Sequence, residues 1–162
     1  YADTFYPGGE IEDMALAWYR NGTEIIFACG GPIYQSVLTA AEACGGMLIG
    51  ADMDQSEISG LFLTSAMKGI DSSIIIALDE FFANGRKWPK RLAGSTVAYG
   101  AKENCISLPI LDDAWRFQRA TQNEYLRLLA RLKSGGISID TKLPPKTNIA
   151  IVNHNAEEES DS

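Results

Sequence analysis

The sequence predicts an α/β chain in which a parallel sheet is flanked by helices. Three observations carry that expectation. Short apolar runs bounded by turn residues alternate with segments whose apolar residues recur at i, i+3, i+4 and i+7. The connections between runs reach a dozen residues or more, the length that a crossover between parallel strands needs. The 162 residues, 46% hydrophobic and 22% charged, suit one globular unit that buries its own core without disulfides or metals.

Each element can be justified in turn. Residues 1–5 (YADTF) read as a short strand, and Tyr6-Pro7-Gly8-Gly9 is turn chemistry. Ile11, Met14, Ala15 and Trp18 trace the apolar face of a helix that Asn21-Gly22 closes. Residues 24–28 (EIIFA) read as a buried strand. Gly30-Gly31-Pro32 then opens a helix that runs to about Cys44 and stops at Gly45-Gly46. Residues 47–51 (MLIGA) form the next buried strand, with Asp52 at its carboxyl end, and residues 61–65 (LFLTS) another. Ile70, Ile74, Leu78 and Phe81 share a helix face that ends at Asn84-Gly85. Residues 95–99 and 104–108 read as a hairpin joined at Gly100. Tyr125, Leu128, Leu129 and Leu132 mark the clearest amphipathic helix. Residues 137–140 follow as a last core strand, residues 147–152 as an edge strand, and residues 153–162 as a disordered acidic tail.

Composition removes several function classes. Fourteen basic residues against 21 acidic ones give a net charge of −7, and four of the acids fall in the last six residues. The only basic run, RKWPKR at residues 86–91, reads as a solvated loop, so nucleic acid is not expected as a partner. The longest apolar stretches are a few residues, too short to span a bilayer. Cys29, Cys44 and Cys105 show no C-x-x-C spacing and read as three buried thiols. A single histidine, His154, leaves no triad and no multi-histidine metal site. An enzyme reading lacks parts, and no cofactor is expected. The chain opens on Tyr1 as if inside a fold.

In a parallel sheet, ligands bind outside the carboxyl ends of the strands. That points to the loops after Phe5, Ala28 and Ala51. Gly30-Gly31 is either a tight structural turn or a loop whose backbone amides approach a ligand closely. Asp52 at a strand end can accept two hydroxyl hydrogen bonds, as a sugar diol requires. Asp54 either shares that role or caps the following turn. Lys68 either reaches a ligand oxygen, pairs with Asp52 or is an ordinary surface lysine.

The ordered segments Tyr1-Ala2-Asp3-Thr4-Phe5, GTEIIFACGG at residues 22–31, AAEA at 40–43, IGADMDQ at 49–55 and LTSAMK at 63–68 carry a resemblance. Together they resemble the basic membrane protein (BMP) family of ABC-transporter substrate-binding lipoproteins, over about residues 1–140. The resemblance implies a Rossmann-like lobe of a type I periplasmic-binding-protein fold, in which two lobes close on a ligand. It also implies a non-enzymatic, extracytoplasmic and lipid-anchored protein that works with an ABC permease and binds a purine nucleoside. Family members are about twice this length. Residues 1–152 would then be the carboxyl-terminal lobe, with segments that return to the first lobe. By position, Asp52 would bind the ribose hydroxyls, Lys68 would stand on the ribose side, Phe5 would stack on the base, and Gly30 would offer backbone contacts. The family's glycine loop continues differently, because Ile33 and Gln35 replace two glycines here. The acid that often follows the first aromatic is replaced by Tyr6-Pro7. An isolated lobe is expected to expose its cleft and hinge surfaces and to self-associate. The rival reading is the effector-binding domain of a cytoplasmic transcription regulator with the same fold.

Overall fold

The computed structural model describes residues 3–139. Helix α1 (Gly9–Arg20) begins with Glu10 and Glu12 in its first turn and ends with Arg20, charges that complement the helix dipole. Its buried row is Ile11, Ala15 and Tyr19. Trp18, expected on the buried face, is 47% exposed; the i, i+4, i+8 ridge faces the core and Trp18 lies beside it. Ser36 Oγ accepts from Gly8 N at 2.9 Å and donates to Gly8 O at 3.1 Å. That pair ties the start of α1 to helix α2 (Tyr34–Cys44), which a single 3₁₀ turn (Gly31–Ile33) precedes.

Strands β1 (Ile25–Phe27), β2 (Met47–Asp52), β3 (Phe62–Lys68) and β4 (Ile106–Ser107) form one sheet in the order β1-β2-β3-β4. The first three are parallel, and β4 runs antiparallel to β3. Ile26, Leu48 and Phe62 turn to the same side and pack against α1 and α2, which makes the core. β1 is not buried on both faces as its sequence suggests. Ile25 and Phe27 are exposed, because only the face carrying Ile26 is covered.

β1 and β2 are joined through α2, a crossover of the kind that parallel strands require. β2 and β3 are joined by residues 53–61, a run of turns with no helix. Arg116 takes the place of one. Its guanidinium donates to Phe62 O at 2.8 Å, Ser56 O at 3.0 Å and Ser59 O at 3.4 Å. One side chain thus binds two carbonyls of the connection, Ser56 O and Ser59 O, to the first carbonyl of β3.

Helix α3 (Ile70–Ala83) ends at Asn84, as expected, and helix α4 (Gln122–Lys133) opens with a capping box. Thr121 N and Oγ1 donate to Glu124 Oε2 and hold its carboxyl below the usual range. The α3 face of Ile70, Ile74 and Leu78 is exposed among the described residues, while Phe81 packs on Phe82 and Trp88. Arg91 of the basic run pairs with Glu80 of α3.

Three expected strands are corrected. Residues 3–5 are irregular, with Asp3 at φ 50°. Thr4 Oγ1 accepts from Tyr6 N at 3.1 Å, a local side-chain bond that competes with strand pairing. Residues 95–99 form no strand, and no hairpin joins them to residues 104–108. The free edge of β3 takes Ile106 and Ser107 instead, opposite Lys68 and Met67. Residues 137–139 are irregular, with Ile139 66% exposed, so they add no core strand. Asp140, the expected strand at 147–152 and the acidic tail lie outside the described residues. Of the three cysteines only Cys105 is buried; Cys29 lies in the loop past the end of β1, and Cys44 is the last residue of α2.

Tyr19 carries a pH consequence. Its hydroxyl donates to Met47 O at 2.7 Å, and burial, helped by the nearby Cys44 thiolate, pushes it up to about 12 from 10.0. The folded value lies above the unfolded one, so this contribution to stability is intact below pH 10 and is lost as pH rises toward 12. Urea unfolding on either side of pH 10 is expected to show that loss, and Tyr19→Phe to remove its tyrosine-linked part.

Candidate ligand site at the strand ends

The carboxyl ends of β1, β2 and β3 open at one edge of the sheet, and two of the four expected site residues, Asp52 and Lys68, meet there. Asp52 is the last residue of β2 and Lys68 the last of β3. The strands are hydrogen-bonded neighbours, with Asp52 opposite Met67, so the two side chains meet. Lys68 Nζ lies 2.6 Å from Asp52 Oδ1. That oxygen is shielded from solvent and has no other polar partner among the described residues, although the Asp52 side chain is 45% exposed. The hydrogen bond to Asp52, and then its charge, hold the Lys68 ammonium above its ordinary 10.5. The pair is partly solvated, so its contribution is to arrange charge at the rim rather than to stabilise the fold.

The backbone at Asp52 is unusual. Its φ is 74°, and Met53 N donates to Ala51 O at 2.9 Å across it. This is a three-residue γ-turn with a non-glycine residue in the left-handed region, a strained arrangement that clusters at functional sites. Asp54 serves the turn itself: its Oδ1 accepts from Ser56 N at 2.9 Å. Gln55, 6% exposed, accepts from Ala51 N through Oε1 at 3.2 Å and donates from its own N to Ser65 Oγ at 3.0 Å.

Behind the ion pair is a cavity of about 360 Å³ with an apolar floor. Phe27, Ala51 and Ala66 line it from the sheet, and Tyr125, Leu129 and Leu132 from α4. Tyr125 Oη accepts from Leu108 N at 2.9 Å, which fixes the helix over β4.

Phe5 and Gly30 lie elsewhere. They line a second cavity, of about 550 Å³, between the start of the described chain, α1 and the 3₁₀ turn. Phe5 is 69% exposed and lies against the glycine loop, where a Cβ on Gly31 would come 3.8 Å from its own Cβ. Gly31 has φ 55°, and a Cβ on Gly30 would fall 2.8 Å from Ile33 Cδ1, so this loop accepts only glycines without rearrangement. The structure therefore brings Asp52 and Lys68 into contact and sets Phe5 beside Gly30, in two cavities that share Phe27 and Cys29 as a wall.

Sequence reasoning missed Phe27, Cys29, Gln55 and Arg116. Phe27 and Cys29 flank the end of an apolar run and read as interior. Gln55 stands inside the IGADMDQ segment but carries no periodic signal, and nothing near Arg116 marks it. Among the described residues, no group of three or more His, Cys, Asp or Glu is placed to share a metal ion, and no helix is long and apolar enough to cross a membrane.

A relative, basic membrane protein D of Borreliella burgdorferi (strain JD1), is 28% identical over 142 residues, which are 86% of this chain and 40% of that protein. The chain thus spans less than half the length of the curated relative it matches. Among solved structures, a transcriptional activator of the comK gene from Bacillus halodurans superposes with a TM-score of 0.64 at 13% identity, over 85% of this chain and 46% of that one. A solute-binding protein of an ABC transporter system from Aeropyrum pernix K1 superposes with a TM-score of 0.54 at 16% identity, over 85% and 40%. Likenesses at such identities show the fold alone: an α/β lobe of the periplasmic-binding-protein type. The family model for PnrA-like ABC transporter substrate-binding proteins matches residues 1–142, and the chain belongs to that family, Bmp.

Proposed function

We propose that this chain is the carboxyl-terminal lobe of an extracytoplasmic solute-binding protein, lipid-anchored beside an ABC permease, and that its ligand is a purine nucleoside. Residues 1–152 are that lobe in this reading. The observation that carries it is the Asp52–Lys68 pair, at 2.6 Å on the ends of two parallel strands. A carboxylate there accepts from vicinal hydroxyls, and the ammonium donates to a ring or hydroxyl oxygen. Phe5, exposed beside the Gly30 loop, offers a stacking face for a base, an interaction of about 1–3 kcal/mol per base in nucleic-acid complexes. No chemistry on the ligand is required. Contacts from both lobes favour the closed state, and closure is the signal that a permease reads.

The test is calorimetric titration of the complete two-lobe protein with guanosine, inosine, adenosine, uridine, free ribose and a nucleobase. Purine nucleosides are expected to bind, and Asp52→Ala to weaken guanosine by about tenfold to a hundredfold, the size of a charge-assisted hydrogen bond. Unchanged affinity would remove Asp52 from the site.

A further inference from the structure

We propose that Gln55 is the positioning residue that holds Asp52 in its left-handed turn, with Ser65 as its anchor in the neighbouring strand. The carboxamide is buried and reaches back across the turn it follows. Its Oε1 takes the Ala51 N–H at 3.2 Å, and the Gln55 N–H is taken by Ser65 Oγ at 3.0 Å. Ser65 is fully buried in β3, so the anchor is as fixed as the sheet. Residues 51 and 55 are thereby pinned, one by the side chain and one by the backbone of the same glutamine. Asp52 lies between these two fixed points, at φ 74°. The sheet also makes room for this arrangement. Gly50 has no side chain where a Cβ would lie 2.1 Å from Gln55 Oε1. With Asp52 held, its Oδ1 faces Lys68 rather than solvent.

Gln55 thus acts on the ligand through Asp52, which rests on the role proposed for Asp52 above. The test compares crystal structures and guanosine calorimetry for Gln55→Met, which keeps bulk but loses the acceptor, and Gln55→Glu, which keeps an acceptor. In Gln55→Met, Asp52 is expected to leave positive φ and the ion pair to open beyond about 4 Å. Guanosine affinity should fall about tenfold in the same variant, and Gln55→Glu should restore turn, pair and affinity. If Gln55→Met does not fold, Ser65→Ala removes the anchor and carries the same expectation for the turn. An unchanged turn and ion pair in these variants would overturn the proposal, even if melting temperature falls. Lost guanosine affinity with the turn intact would also overturn it, making Gln55 a ligand contact. Should Asp52→Ala leave guanosine binding unchanged, the nucleoside reading fails, while the geometry of the Gln55 variants still decides the positioning role.

Discussion

Phe62→Ala is expected to cost about 3–5 kcal/mol, the range for removing a buried aromatic from a well-packed core. Phe62 is completely buried, stands opposite the equally buried Leu48 in the β2–β3 register, and meets the Tyr34 ring edge-on at 5.9 Å. It therefore links the sheet to α2 at the centre of the covered face. Collapse around the void is resisted on one side by strand pairing and on the other by the helix. Against a total stability of ~5–15 kcal/mol, such a loss is a large share. Urea unfolding measures it as a lower midpoint at unchanged slope. A loss below about 1 kcal/mol would mean that the site collapses freely and that Phe62 is not the centre of the core.

The second large effect is expected at Gly50. A methyl group there would lie 2.1 Å from Gln55 Oε1 and 2.8 Å from Ser65 Oγ, so Gly50→Ala forces the carboxamide out of its place. Overpacking of this kind costs about 1–3 kcal/mol, and the Ala51 N–H loses its acceptor besides. The expected outcome is a lower melting temperature together with weaker guanosine binding, because the turn bearing Asp52 loses its brace. Gln55→Ala in the same chain would relieve the clash with the carboxamide and leave only the Ser65 contact, so the two changes together should cost less stability than their sum. Strict additivity would show that the methyl group is accommodated elsewhere.

Much of the fold was legible. The helices at Gly9–Arg20, Tyr34–Cys44, Ile70–Ala83 and Gln122–Lys133 announce themselves by apolar period and by the turn residues that close them. The three parallel strands are short apolar runs between such signals. What failed was pairing. Residues 95–99 have the β-branched and aromatic content of a strand, yet the edge of β3 is already occupied by Ile106 and Ser107. Strand formation depends on which edge is free, and local sequence does not record that. At the candidate site, Asp52 and Lys68 were readable because a rule links strand ends to ligands. The braces were not. Gln55 bonds backbone and hydroxyl partners at separations of four and ten residues, and Arg116 bonds bare carbonyls, neither of which leaves a pattern along the chain.

The clamp by Arg116 has an effect in time as well as in space. Its three carbonyl partners precede it by 54, 57 and 60 residues. β2 and β3 can pair as soon as both exist, but the connection that begins at the Asp52 turn is completed only after a far later stretch of chain has docked. Transient release of that stretch would free the same connection, since local openings cost less than global unfolding. The order of a candidate binding loop is thus lent to it by a segment that does not touch the carboxylate at its head.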